Sequence, residues 1–214
     1  MDALLKNKEH ELMHEITLIA LNHATAAMSQ ALKDDTFLKV FEEYPTFQLK
    51  DGEANTHQYY ALHTEMQGDF SADTYMLIDG QNEEKVCQKL LPPNLLGQWE
   101  MREASLLELD NMLIAALVTI YSNLLKVQVY GHVPSLAKKT EEEIIKKLQK
   151  LSSESAYSFR AKFVAFHTRT ELEILCVFKK NILPKIQSFN NKASENKSDG
   201  KENVVKGFFR KLFH

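Results

Sequence analysis

Glycine is scarce in this chain, seven among 214 residues. Gly52, Gly68, Gly80, Gly97, Gly131, Gly200 and Gly207 lie too far apart to build GxG or GxxxxGK, so the usual phosphate-cradling loops are excluded. There is no GxSxG elbow either. Nucleotide-dependent enzymes and α/β-hydrolases therefore drop out. Cysteine is scarcer still. Cys87 and Cys176 are too few and too distant for a disulfide framework or a zinc ribbon. At a helical and a strand position respectively, they read as buried reduced thiols of a cytoplasmic protein. No charge of one sign dominates: 26 Lys and Arg oppose 29 Asp and Glu, a net charge of −3. Nothing pulls such a chain towards nucleic acid. The longest mostly apolar run, Met112 to Ile120, is about half of a membrane span. The opening MDALLKNKEHEL has no apolar h-region, so no signal peptide is expected. What remains is a 44% hydrophobic chain, long enough for one sizeable core or two small halves sharing it.

Periodicity divides the chain. Residues 8 to 32 read as one long helix, with Leu12, Ile16, Ile19, Ala20, His23 and Ala27 in one stripe and Asp34-Asp35 at its end. Phe37 to Phe47 is mixed, a short helix or a strand, and Lys50 to Asn55 reads as a loop. Tyr59 to Gln67 and Ser71 to Ile78 read as strands joined at Gly68-Asp69. Asn82 or a neighbour caps a helix from Glu83 to Leu91, which Pro92-Pro93 stops. The order then repeats. Trp99 to Leu124 is a second long helix, and Lys126 to Val133 a strand ending at Pro134. Thr140 and Glu143 form a capping box for a helix to about Leu151. Tyr157 to Thr168 alternates, with Tyr157, Phe159, Ala161, Phe163 and Ala165 on one face. Leu172 to Phe178 is the last strand, and 179 to 189 a closing segment. The offset of the two series is roughly 93 to 98 residues, an internal duplication rather than a solenoid. The expectation is an α+β fold. Two pseudo-symmetric αβ repeats, about 8–98 and 99–189, share an antiparallel sheet flanked by two long helices, within a domain of residues 1–189.

Beyond it, 190–203 is polar and reads as a flexible linker. Residues 204–214, VVKGFFRKLFH, read as a short basic amphipathic helix. Val204, Phe208 and Leu212 share a stripe, as do Val205, Phe209 and Phe213, with Lys206, Arg210 and Lys211 off it. Such a segment packs on its own domain, enters a partner's groove, or lies on an anionic membrane surface.

Two short motifs invite chemistry. His10-Glu11-Leu12-Met13-His14 matches HExxH, whose histidines can share a helix face and hold zinc. No third ligand is evident downstream and no sheet precedes it, so two solvated histidines are the better account, and no metal site is assigned. The second motif is Glu108-Leu109-Asp110-Asn111. On a helical wheel of about 100° per residue, with Leu113 at zero, Leu106, Leu109, Leu117, Ile120 and Leu124 fall within about 40°. Glu108 lands at about −140° and Asn111 at about 160°. Both leave the core side, about 60° apart on one exposed ridge that Ala115 keeps low. A solvated polar face is the plain alternative.

These residues resemble the chemotaxis phosphatases of the CheC, CheX and FliY type, which act on phosphorylated CheY-like receiver domains. Their signature is Asp or Ser, three residues, Glu, two residues, Asn, about twenty-two residues, then Pro. Glu108, Asn111 and, after twenty-two residues, Pro134 fit it. Glu15-Ile16 and the run Asn22 to Ser29 look like the family's Glu-Ile start and small-residue helix. The shared order of elements covers about residues 8 to 187. Ala104 stands where the Asp or Ser belongs, and in the first half Leu18 replaces the Asn that should follow Glu15. Glu15 and Leu18 thus mark a degenerate first site. With no receiver-docking extension expected, the likeness is to CheC rather than FliY.

The resemblance implies a cytoplasmic aspartyl-phosphate phosphatase. Asn111 would hold the attacking water in line and Glu108 would pair with the receiver's lysine. No cofactor of its own is implied, because the receiver supplies Mg2+. The partners implied are a phosphorylated CheY-like receiver and a CheD-like protein, with no nucleic acid. The alternative is a non-catalytic CheC-like adaptor that binds a receiver or a CheD-like partner.

Overall fold

The computed structural model describes residues 7–44, 57–151 and 154–198. The loop expected at Lys50 to Asn55 and the amphipathic segment 204–214 lie outside them. A long helix, α1 (Asn7–Leu32), leads into β1 (Thr36–Tyr44), the hairpin β2 (Gln58–Gly68) and β3 (Ala72–Asp79), and the short helix α2 (Gly80–Leu90). The second series is α3 (Trp99–Leu125), β4 (Val129–Gly131), β5 (Ser135–Thr140), α4 (Glu141–Leu151), β6 (Ser155–Ala165), β7 (Thr170–Lys179) and α5 (Leu183–Ser198).

The strands form one seven-stranded sheet in the order β1-β6-β7-β3-β2-β4, with β5 also on β2. Every pairing is antiparallel. Exchanging the halves, β1 for β4 and β5, β2 for β6, β3 for β7, returns the same order read backwards. The duplication is therefore built into the sheet, and each half lends its first strand to the edge of the other. Along β6, Tyr157, Phe159, Ala161, Phe163 and Ala165 all turn into the main core, as alternation requires. The opposite face packs Ala61, Tyr75, Leu77, Leu175 and Val177 under Ile144, Ile145 and Leu148 of α4.

Helices α1 and α3 lie together on the main-core face. Buried Thr17 and Tyr121 share a hydrogen bond of 2.9 Å between them. On α3, Leu106, Leu109, Leu113, Leu117, Ile120 and Leu124 are all buried, the stripe the wheel requires. Each contributes about 1.5–3 kcal/mol by leaving water. By length and composition α3 also passes as a membrane-crossing helix, but here that apolar side rests on the sheet. On α1 the buried arc is displaced from the expected one. Met13, Ile16, Thr17, Ala20, Ala24 and Met28 are buried, while Leu12, His23 and Ala27 are only partly so. A helix pressed on a sheet and on a second helix buries a broader arc than one stripe describes.

Caps end the elements where short polar residues allow. Asp79, the neighbour of Asn82, caps α2, its carboxylate accepting from Asn82 N at 2.8 Å. In the Thr140 box, Glu143 N donates to Thr140 Oγ1 at 3.2 Å and Thr140 N donates to Glu143 Oε2 at 2.7 Å. Asp34 accepts from the backbone N–H groups of His167 and Thr168, both at 2.9 Å, tying the end of α1 to the β6–β7 turn.

One open alternative is decided, and two elements differ from the sequence reading. The described part of the mixed stretch, Phe37 to Tyr44, lies in strand β1, because β6 offers it an open edge. The strand expected over Lys126 to Val133 shortens to Val129–Gly131, and the chain then adds β5, whose SLAKKT lacks alternation and is held by pairing with β2. Finally, α5 runs to Ser198, so the linker expected at 190–203 is helical as far as 198. Buried Ile182 just before it and buried Ile186 and Phe189 within it anchor its start, and Lys, Ala, Ser and Glu continue a helix at little cost.

Candidate functional site

The leucine stripe decides what α3 shows to solvent. With that stripe turned inward, Ala104, Glu108, Asn111, Ala115 and Thr119 form an exposed ridge along the helix. The Glu108 carboxylate and the Asn111 carboxamide thus stand one turn apart on the same outward side. Neither has a hydrogen-bond or ion-pair partner among the described residues. An unspent acceptor beside an unspent donor-acceptor, on a rigid helix, is equipped to meet another molecule.

The ridge has two flanks. On one, a depression of about 280 Å³ opens beside Glu108, lined by Leu90, Ala104, Ser105, Glu108, Leu109 and Met112. Its α2 wall is fixed by Glu83, which is 1% exposed. Arg102 Nε donates to Glu83 Oε1 at 2.9 Å and Arg102 Nη2 donates to Glu83 Oε2. The Cys87 thiol bonds the same carboxylate at 3.1 Å. Burial, with Glu83 beside it, pushes that thiol up to about 12, so Cys87 is no nucleophile at neutral pH. On the other flank β4 presses against α3. A Cβ on Gly131 would lie 2.7 Å from Ile114 Cγ2, a close approach that only glycine permits without movement. Pro134 is buried just beyond it, while Val133 stands 89% exposed.

The matching ridge on α1 is chemically different. Glu15 is exposed and Leu18 half-buried, one turn apart as on α3 but with no carboxamide. Nearby Asn22 cannot substitute, because its amide donates to the Leu18 carbonyl at 2.9 Å. The two histidines of HExxH face β1. His14 Nδ1 is 3.0 Å and His10 Nε2 3.7 Å from the Glu43 carboxylate, which Tyr157 OH also contacts. Among the described residues no group of three His, Cys, Asp or Glu is placed to hold a metal ion.

Sequence reasoning passed over Asp110, which lies between the two site residues. It is fully buried, with Oδ2 accepting from Thr64 Oγ1 at 2.5 Å. Burial, opposed by that bond, pushes its carboxyl up to about 7. The signal was available: on the same wheel Asp110 falls about 60° from Leu113, a carboxylate inside the apolar sector.

No family model matches the chain, and no curated protein matches it in sequence. Solved structures do match in shape. FliY of Thermotoga maritima superposes with a TM-score of 0.62 at 12% identity, covering 88% of this chain and 98% of that one. CheX of a Desulfovibrio desulfuricans subspecies gives 0.56 at 12% identity, covering 77% and 99%. CheX of Borrelia burgdorferi, solved as a CheX–CheY–BeF3–Mg2+ complex, gives 0.54 at 13% identity, covering 75% and 95%. At such identities the likeness is one of architecture. Sheet order, paired long helices and these superpositions agree: the chain has the fold of the CheC, CheX and FliY family.

Proposed function

We propose that this protein accelerates the dephosphorylation of a CheY-like receiver domain through the α3 ridge. The observation that carries this reading is the pair Glu108 and Asn111, exposed together and without internal partners. A receiver holds its phosphoryl group on an aspartate beside its own Mg2+ and lysine. Glu108 would pair with that lysine and set the docking register. The Asn111 carboxamide would accept a hydrogen bond from a water and donate another, holding the water in line with phosphorus. Attack forms the new P–O bond as the bond to the aspartate oxygen breaks, and the water's proton leaves with the phosphate. Such chemistry rests on positioning and on charge the receiver's metal already supplies. Two further features suit the docking. The ridge is low at Ala104 and Ala115, and Leu90, Leu109 and Met112 offer an apolar seat beside Glu108. A structural neighbour is itself a complex of CheX with CheY. The reading places the protein in the cytoplasm with its receiver.

Decay of a phosphorylated receiver tests it. Asn111→Ala is expected to abolish the acceleration, a loss of at least about 100-fold. Glu108→Ala is expected to weaken complex formation as well. Acceleration that survives Asn111→Ala refutes the mechanism. Equal binding of phosphorylated and unphosphorylated receiver with no faster hydrolysis would establish the adaptor instead. The half-exposed Leu18 beside Glu15 is the feature that favours such a binding role for the first half.

A further inference from the structure

Asp110 is Asn111's neighbour on α3 but, about 100° round the helix from it, turns into the core. It is 0% exposed, on a helix side made chiefly of leucine and isoleucine. One of its oxygens takes the Thr64 hydroxyl, and the other, Oδ1, is buried without a hydrogen-bond partner among the described residues. Thr64 lies on β2 at 1% exposure, and its carbonyl accepts from Thr74 Oγ1 of β3 at 2.8 Å. One turn further along α3, Ile114 meets Gly131 of β4. A Cβ on that glycine would also lie 3.5 Å from Thr64 Cγ2, so the strand and the threonine close on the same spot. Two strands, β2 and β4, thus close on this stretch of α3, and β3 is bonded to β2 behind Thr64.

A leucine stripe holds a helix down but barely fixes its roll, because apolar burial has no direction. A hydrogen bond does have direction. Outward side-chain tips lie about 5–6 Å from the helix axis, so a roll of about 15° carries them about 1.5 Å. A misplacement of about 1 Å can cost about 100-fold in rate.

We propose that Asp110 is the positioning residue of the site: its bond to Thr64 fixes the roll of α3 and so aims Glu108 and Asn111 at a docked receiver. The proposal rests on the phosphatase reading above, and Asp110 itself touches no reacting atom. The raised carboxyl fits this role, since the neutral acid keeps the bond without forcing a bare charge into the core.

Two variants test it. Asp110→Asn keeps an acceptor for Thr64. The double variant Thr64→Val with Asp110→Leu removes both polar partners and orphans neither, so the fold survives. For each, kcat and KM are measured with phosphorylated receiver, and the Asn111 side-chain amide is followed by NMR relaxation in the free protein. Asp110→Asn is expected to stay within about threefold of the parent kcat and KM, and the double variant to lose at least about tenfold in kcat and to raise KM as well, because Glu108 is misaimed together with Asn111. The Asn111 amide should become mobile only in the double variant. An unchanged kcat in the double variant overturns the proposal, as does an Asp110→Asn variant that loses as much as the double. If the parent protein accelerates nothing, the phosphatase reading falls. The amide then decides the positioning claim alone: mobility in the double variant upholds it, and unchanged signals overturn it.

Discussion

Replacing Asp110 by asparagine should change how stability depends on pH. In the folded chain the carboxyl is pushed up to about 7 by burial, against an ordinary value of 3.8. The folded state therefore binds more protons than the unfolded state between those two values. Stability from this group is complete below about pH 4 and is lost as pH rises through about 7. Each pKa unit corresponds to about 1.4 kcal/mol, so the loss approaches about 4 kcal/mol at pH 8. Asparagine at 110 fills nearly the same space, accepts from Thr64 and does not ionise. The variant's advantage over the parent should therefore grow from pH 5 to pH 7 and level off above it. Urea unfolding followed by circular dichroism at pH 5, 6, 7 and 8 measures this. Other groups cancel in the difference, and equal m-values confirm a common unfolded state. The quantity that matters is the change in the difference, because the asparagine N–H groups carry a fixed cost of their own. A difference that stays flat from pH 5 to pH 8 would refute the reasoning. Asp110 would then be an ordinary carboxylate, solvated or paired.

Other perturbations test the supports of the ridge. Arg102→Ala strands the buried Glu83 carboxylate and should destabilise by about 3 kcal/mol in chemical unfolding, whereas Arg102→Met with Glu83→Leu should recover most of it. Gly131→Ala places a methyl 2.7 Å from Ile114 Cγ2 and should cost about 1–3 kcal/mol, with Ile114→Ala relieving part of that in the double variant. In an Asn111→Ala background, Leu18→Asn rebuilds Glu-x-x-Asn on α1 beside exposed Glu15 and is expected to recover part of the lost receiver dephosphorylation. No recovery would show that the first ridge no longer docks.

The exposure of the candidate site was legible because one rule decided it. Six leucines and isoleucines at helical spacing turn inward, and the geometry of a helix then leaves Glu108 and Asn111 nowhere but outside. The same rule served α1 less well, since contact with α3 as well as the sheet widened its buried arc to Met13, Thr17 and Ala24. The strands of the core were legible where they alternate, as in β6 from Tyr157 to Ala165. Strand β5 was not, because SLAKKT owes its conformation to a partner about seventy-five residues earlier, and no local pattern records that. The far half of α5 misled for the converse reason: a polar composition suits a helix as well as a linker.

Asp110 is the instructive omission. A wheel sorts residues into inward and outward, and a carboxylate on the inward side looks like noise unless its partner is known. The partner, Thr64, is forty-six positions away on another element, so only the fold joins them. An apolar residue at 110 would pack there without leaving a buried oxygen unmatched. What a buried polar contact adds over an apolar one is direction, and direction is what the role proposed for the Asn111 carboxamide requires. The aspect of the ridge that the sequence hid is thus its aim, while its exposure followed from composition and period alone.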